Sequence, residues 1–302
     1  MAAQTQAIPY RRKPRWQKIL PNYLFILPYF LFFLLFRMGP DFYGLFVSFH
    51  NWDILLPDKP FIGFGNYQEL LNDDLWWVSL RNTVLFSIFT VFGNVVVGLL
   101  AAVLVNQKAP GQHLFRVVFY TPVVISVAVM GVVLRRVFNT EYGLLNFYLN
   151  WIGIDSIPWL AMPNYVIPVL SGATIWWTFG FPFLVFLAGL LNIPNHLYEA
   201  AKIDGANGFQ SFFKITLPLL KPVMLFVVVT QFIGHLKVFG QMFIMTQGGP
   251  GHASYSVVMY LYDTGWRFFR MGYASSLAFS LALIILVVTL INFRLLGGRV
   301  EY

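Results

Sequence analysis

The stretch VMLFVVVTQFIGHLKVFGQMFIM, Val223 to Met245, sets Gln231, His235, Lys237 and Gln241 into an otherwise apolar run. An amide and an imidazole four residues apart share one helical face, and Gly234 and Val238 fall on the same strip. Both groups donate and accept hydrogen bonds, and neither has a second histidine or a carboxylate beside it in the run. In SGATIWWTFGFPFLVF, Trp176, Phe179, Gly180 and Phe183 share a face beside Pro182. Aromatic faces next to amide or imidazole donors suit a sugar ring, which presents C–H patches and hydroxyls. A second role fits the same residues: Gln231 and His235 as interhelical hydrogen-bond partners, Trp176, Trp177 and Phe183 as packing or lipid-facing aromatics. Asn94, alone in another apolar run, reads as a packing residue.

Covalent chemistry finds little support elsewhere. The chain has no cysteine, its five histidines stand apart with none at ligand spacing, and each Asp and Glu lies at the boundary of an apolar run or in a loop. No catalytic acid, histidine pair or metal cluster emerges, so an enzyme is not expected. An ion-coupled secondary transporter, the alternative reading, usually carries carboxylates within its spans. The chain also lacks the G-x-x-x-x-G-K-[ST] phosphate loop, so any ATP used must be bound by another polypeptide.

The elements that position these residues are membrane spans. Of 302 residues 58% are hydrophobic and 11% charged, with 32 phenylalanines, more apolar surface than a soluble core absorbs. A net charge of +8 raises nucleic acid as a partner, but the basic residues flank apolar runs, which favours a membrane. Six segments approach the 20 or so residues that a crossing needs: Ile19–Phe36, Val84–Val105, Val117–Leu134, Val166–Leu191, Val223–Met245 and Met271–Phe293. Pro122 and Pro182 interrupt the third and fourth. The first, with Arg11, Arg12, Lys13, Arg15 and Lys18 ahead of it and no small-residue cleavage site after it, reads as a retained anchor.

Orientation follows from Lys and Arg. With both termini in the cytoplasm, twelve lie on the inner side, and seven (Arg37, Lys59, Arg81, Arg135, Arg136, Arg267 and Arg270) on the outer. Residues 1–18 then form a cytoplasmic basic segment and 19–302 a six-span domain with its core at about 80–296. The expected fold class is an all-α membrane protein with a cytoplasmic insert at 192–222.

That insert, containing YEAAKIDGANGFQSFFKITLPLLKP, is polar and helix-forming. Asn192, Pro194 and Glu199 suit a helix start, and Gly205 can take the positive φ that ends it. GFQSFFKIT predicts a second short helix, stopped by Pro218, with Phe209, Phe212 and Phe213 on an apolar face. Ala200 and Ala201 leave a shallow surface for another backbone. Two helices joined at an angle and tied to spans at both ends make a rigid knob that a partner can push; an amphipathic pair lying on the inner leaflet fits the same composition.

The residues go further. Glu199-Ala200-Ala201, Gly205 six positions after the Glu, and Ile215-x-Leu217-Pro218 resemble the cytoplasmic signature of the membrane subunits of ATP-binding-cassette importers. Asp204-Gly205-Ala206 looks like the carbohydrate branch. FIGFGNYQELL, SLRNTVLFS, YGLLNFYLNWIGI, IPWL, MTQGGPG and FRMGYASSLAFSL extend the resemblance to maltose- and glycerol-phosphate-type permeases over most of the chain. It implies a permease subunit of a binding-protein-dependent sugar importer in a bacterial plasma membrane, working by alternating access. Its partners would be a second permease, two cytoplasmic ATPase subunits and an external solute-binding protein. The insert would be the coupling helix, with Glu199 contacting the ATPase, Ala200 and Ala201 allowing close approach, and Gly205 making the turn. Substrate-contacting positions would fall near Trp176, Gly180 and Phe183, and near Gln231, Gly234, His235 and Val238. Several of these are polar in such relatives and apolar here.

Overall fold

The computed structural model describes residues 15–107 and 111–296. Residues 1–14 of the basic N-terminal segment, Lys108 and Arg299 lie outside them. The described chain is helical: α1 Arg15–Phe33, α2 Gly39–Ser48, α3 Gly65–Leu71, α4 Asp74–Asn106, α5 Gln112–Val124, α6 Val127–Val137, α7 Leu144–Trp151, α8 Pro163–Thr178, α9 Gly180–Leu191, α10 Asn195–Ile203, α11 Gly208–Leu219, α12 Lys221–His235, α13 Gly240–Met245, α14 Val257–Tyr262 and α15 Met271–Leu296. Among the described residues, Tyr23–Ser48, α4 and α15 are each long and apolar enough to cross a membrane. Three bent pairs, α5 with α6, α8 with α9 and α11 with α12, bring the number of candidate crossings to six.

The helix α4 is the mast of the molecule. Its 33 residues follow Asp73, the N-cap, whose carboxylate accepts the Leu75 N–H and satisfies one of the free donors of the first turn. α8, α9, α12 and α14 pack on it. Its buried stripe is small and polar: Ser79, Thr83, Ser87, Thr90 and Asn94. Small side chains let neighbouring backbones come close, and the hydroxyls of Ser79, Thr83 and Ser87 donate to the carbonyl four residues back. The core follows in three clusters. Leu99, Phe183, Phe186, Leu190, Leu220 and Val227 lie at the insert end. Phe86, Val166, Leu170, Val238 and Met242 come next, and Leu70, Trp76, Tyr273 and Leu277 form the third.

Several spans differ from their sequence outlines. The first runs past Phe36 to Ser48, because a single π turn at Leu34–Met38 carries the helix across Arg37 and Gly39. The third is two helices bent by 96°: α5 stops just after Pro122, and Ser126 starts α6 by accepting the Val129 N–H. The fourth bends by 50° at Phe179, three residues before Pro182, where the proline ring excludes a continuous helix toward Thr178. The fifth does not reach Met245 as one helix; α12 ends at His235, and 236–239 are irregular before α13. The Val238 carbonyl in that break accepts the Ser256 hydroxyl at 2.8 Å. Irregular backbone at membrane depth persists only with such partners.

Candidate functional site

The insert is built as two helices locked at their joint. Pro194 opens α10, and the Ala206 N–H reaches back to the Ala201 carbonyl at 2.9 Å. This closing bond needs the left-handed turn that Gly205 makes at φ +78°. Asn207 then starts α11 with a capping box: its side chain accepts the Gln210 N–H at 2.8 Å, and the Gln210 side chain accepts the Asn207 N–H at 2.9 Å. The spacing Asn-x-x-Gln stands in the sequence and is a local signal that could have found this cap. Pro218 does not stop α11. A π turn at Phe212–Thr216 accommodates the ring, and the chain bends by 66° only at Leu220, before α12.

The joint is fastened to the spans. The Tyr198 and Thr216 hydroxyls meet at 2.8 Å and tie α10 to α11. Leu197, Tyr198, Phe212, Leu217 and Leu219 pack on the cluster that holds Leu99, Leu190 and Leu220. Phe212 therefore turns inward, whereas Phe209 and Phe213 meet at a tilt, their ring centroids 4.6 Å apart, and face out. Glu199, Ala200, Asp204 and Gly205 are exposed, Ala201, Ala206 and Pro218 half-buried, and Ile203 at the tip is 87% exposed. A cavity of about 440 Å³ separates the insert from the end of α4, between Asn106, Tyr198, Lys202, Ser211 and Thr216. The arrangement is a stiff lever whose base is packed and whose tip is free.

Within the spans the structure brings Gln231 and His235 together and adds two residues from other helices. The Asn94 amide donates to Thr178 Oγ1 at 2.9 Å and to Gln231 Oε1 at 3.2 Å. His235 Nε2 lies 2.7 Å from the same Gln231 oxygen and donates to it. Asn94 Nδ2 also stands 3.3 Å from Nε2, but with both nitrogens carrying hydrogen that contact is not a bond. The Phe86 ring covers the imidazole edge-on. Asn94, Gln231 and His235 are all buried, so the interhelical role is realised here: α4, α8 and α12 are pinned at one level, beside the breaks that follow Thr178 and His235.

The strip drawn from helical spacing does not form one surface. Val238 is buried with Gln231 and His235, while Gly234 and Lys237 are exposed on another side. Gly180 is pressed against α5, where an added Cβ would stand 2.4 Å from the Phe119 carbonyl, and Phe183 is buried against the Phe119 ring. Trp176 is 52% exposed. The break at Phe179 is the physical reason: a bend of 50° separates Trp176 from the face that carries Gly180 and Phe183.

At the end opposite the insert, a clasp escaped sequence reading. Asp73 accepts hydrogen bonds from Tyr260 and Tyr273, closing α14 and α15 onto the start of α4. Burial works against ionised Asp73, but those two bonds and the backbone N–H groups of Leu75 and Trp76 outweigh it and hold the carboxyl below its ordinary range. Burial and the bond to Asp73 push the Tyr260 hydroxyl far up, so it remains a donor. The Asn82 amide donates to the carbonyls of His252 and Tyr255, stitching the loop after MTQGGPG onto the same helix.

This architecture has known counterparts. Residues 94–298 match the family described as binding-protein-dependent transport system inner membrane component. The probable ABC transporter permease protein YurN of Bacillus subtilis (strain 168) is 36% identical over 281 residues, 92% of this chain and 96% of that one. The arabinooligosaccharides transport system permease protein AraP of Halalkalibacterium halodurans is 36% identical, covering 93% of this chain and 89% of its own. The trehalose/maltose transport system permease protein MalF of Thermococcus litoralis is 33% identical, covering 95% and 96%. A chain in the crystal structure of a bacterial ABC transporter involved in the import of the acidic polysaccharide alginate superposes with a TM-score of 0.83 at 24% identity, covering 95% of this chain and 98% of that one. A second structure of a bacterial alginate ABC transporter, in complex with a periplasmic protein bound to alginate pentasaccharide, gives a TM-score of 0.82. The lever, the bent spans and the matched sequence agree: the chain belongs to the family of binding-protein-dependent transport system inner membrane components.

Proposed function

We propose that this permease subunit imports a sugar or sugar-like solute and that its insert, Asn192 to Pro222, is the surface on which a cytoplasmic ATPase acts. Both termini then face the cytoplasm, and the clasp at Asp73 faces outward. ATP is bound by two partner ATPase subunits, in keeping with the missing phosphate loop. A second permease completes the pathway, and an external solute-binding protein delivers the solute. The sugar class is supported by relatives named for arabinooligosaccharides and for trehalose and maltose.

The observation that carries the reading is the lever itself. Its exposed tip (Glu199, Ala200, Ile203, Asp204 and Gly205) offers an apolar and acidic docking surface, while its base is packed into the cluster that α4, α9 and α12 share. A push on the tip passes into those helices, and α8 and α12 can swing about the breaks beside the Asn94 pin. Gly205→Val tests it. The turn sits at φ +78°, and a β-branched residue there costs on the order of 1 kcal/mol or more. A Cβ at this position meets nothing within 4 Å, so the change disturbs the turn and tip without crowding the core. The variant is expected to insert normally, to retain less ATPase on purification and to lose uptake. Uptake at the wild-type rate, with the variant in the membrane, contradicts the reading.

A further inference from the structure

We propose that α7 lies in the outer headgroup layer of the membrane and that Arg135 and Arg136 beside it hold the phosphate of an anionic phospholipid. The proposal rests on the orientation given above.

The face of α7 is the first observation. Leu144, Phe147, Tyr148 and Trp151, with Ile152 after them, recur at helical spacing, and all are exposed, Trp151 by 83%. An amphipathic helix with Trp and Tyr on its apolar face suits the boundary between headgroups and acyl chains. The opposite side is fixed to the protein. Asn146 is buried, donates to the carbonyls of Thr140 and Ile157 at 3.0 and 2.9 Å, and accepts from the Ile157 N–H and from Trp159 Nε1 at 3.1 and 2.9 Å. The apolar face is therefore held outward and has no second orientation in which to hide.

Its depth follows from the pin. Asn94 stands twelve residues before the end of α4, about 18 Å along a helix, close to the middle of a hydrocarbon layer about 30 Å thick. Thr178 is hydrogen-bonded to Asn94, and Pro163 begins α8 fifteen residues earlier, about 22 Å along a helix. The 157–159 segment that holds Asn146 thus lies just beyond the outer edge of the hydrocarbon, at headgroup level.

The charge is the second observation. Arg135 and Arg136 end α6 with their side chains exposed, and the Arg136 guanidinium lies 5.5 Å from the Tyr142 ring centroid. They line a cavity of about 370 Å³ with Val132, Asn139, Tyr142 and Ile244. Among the described residues the ion pairs are Arg267 with Asp263 and Arg270 with Glu69, and neither arginine of this cavity is in one. Two adjacent arginines on the outer side also run against the rule that keeps cations inside. A phosphate supplies the missing charge in the geometry that guanidinium groups favour, and its acyl chains would lie along the α7 stripe.

The natural absence of cysteine makes the test clean. Nitroxide labels at Phe147→Cys, Trp151→Cys and Asp155→Cys are placed in the complex with its partner permease and ATPase, in nanodiscs of phosphatidylglycerol and phosphatidylcholine. Oxygen should relax the labels at 147 and 151 more than a water-soluble nickel chelate does, and the reverse should hold at 155. Nickel access at all three positions puts α7 in water, and exclusion of both reagents at 147 and 151 puts it under a protein partner; either overturns the proposal. Labelling of Asp155→Cys from outside by an impermeant reagent checks the orientation separately. Phosphatidylglycerol should be enriched over phosphatidylcholine around the wild-type complex, and each of Arg135→Gln and Arg136→Gln should lower that enrichment about fivefold. Unchanged enrichment in the double variant, or displacement of the lipid by millimolar inorganic phosphate, overturns the lipid assignment.

Discussion

At the scale of single residues, the pin is the feature with the most definite energetics. Asn94 Nδ2, Gln231 Oε1 and His235 Nε2 form a closed set of donors and acceptors in which each satisfies another. Asn94→Ala or His235→Ala removes one of the two donors to the Gln231 oxygen, and each is expected to lower the thermal stability of the assembled complex by about 0.6–2 kcal/mol. His235→Gln keeps a donor and should remain close to wild type. Trp176→Ala, which removes a half-exposed ring, should leave stability unchanged and shift the half-saturation of solute-stimulated ATPase activity. A shift in half-saturation with His235→Ala at unaltered stability would return His235 to the solute path. Sequence alone made Gln231 and His235 visible as a pair, because four residues on a helix is a local relation. That Asn94 and Thr178 join them, from 137 and 53 residues before Gln231, follows from no local pattern.

At the scale of elements, boundaries proved harder to read than existence. Apolar runs located the long helices and bent pairs that are apolar enough to cross a membrane, and Gly205 announced its turn because few residues tolerate positive φ. The break after His235 carries neither Pro nor Gly until Gly240; it depends on the Ser256 hydroxyl arriving from another segment. The clasp is of the same kind, since Tyr260 and Tyr273 lie 187 and 200 residues from Asp73. Its pH dependence follows from the sign of the shift. The carboxyl is held below its ordinary value of 3.8 in the fold, so its stabilisation is complete above that value and is lost as pH falls through the lowered one. At neutral pH, Asp73→Ala should speed hydrogen exchange of the α14 amides by about tenfold, the consequence of losing roughly 1.4 kcal/mol, and should abolish the acid-induced loosening. Unchanged exchange would mean that packing of Tyr273 and Leu277 holds this end without the carboxylate.

At the scale of the whole molecule, the design is a mast with a lever at one end and a clasp at the other. α4 stays continuous while three of the crossings are broken, two of them beside the pin that ties them to it. A rigid element flanked by bent ones has a natural division between what stays and what swings, and the lever is packed onto both parts. The central claim, that an ATPase grips the tip of this lever, is tested most directly by cross-linking. The chain has no cysteine, so Ala200→Cys introduces its sole thiol, on an exposed shallow surface beside Glu199. In membranes containing the assembled complex, a short thiol-to-amine cross-linker attached at position 200 should join this chain to the ATPase subunit, and ATP should change the yield as the lever moves. The same cross-linker at Asp155→Cys should give no such product. Capture of the ATPase from position 155, with none from position 200 in a complex that still hydrolyses ATP, contradicts the account.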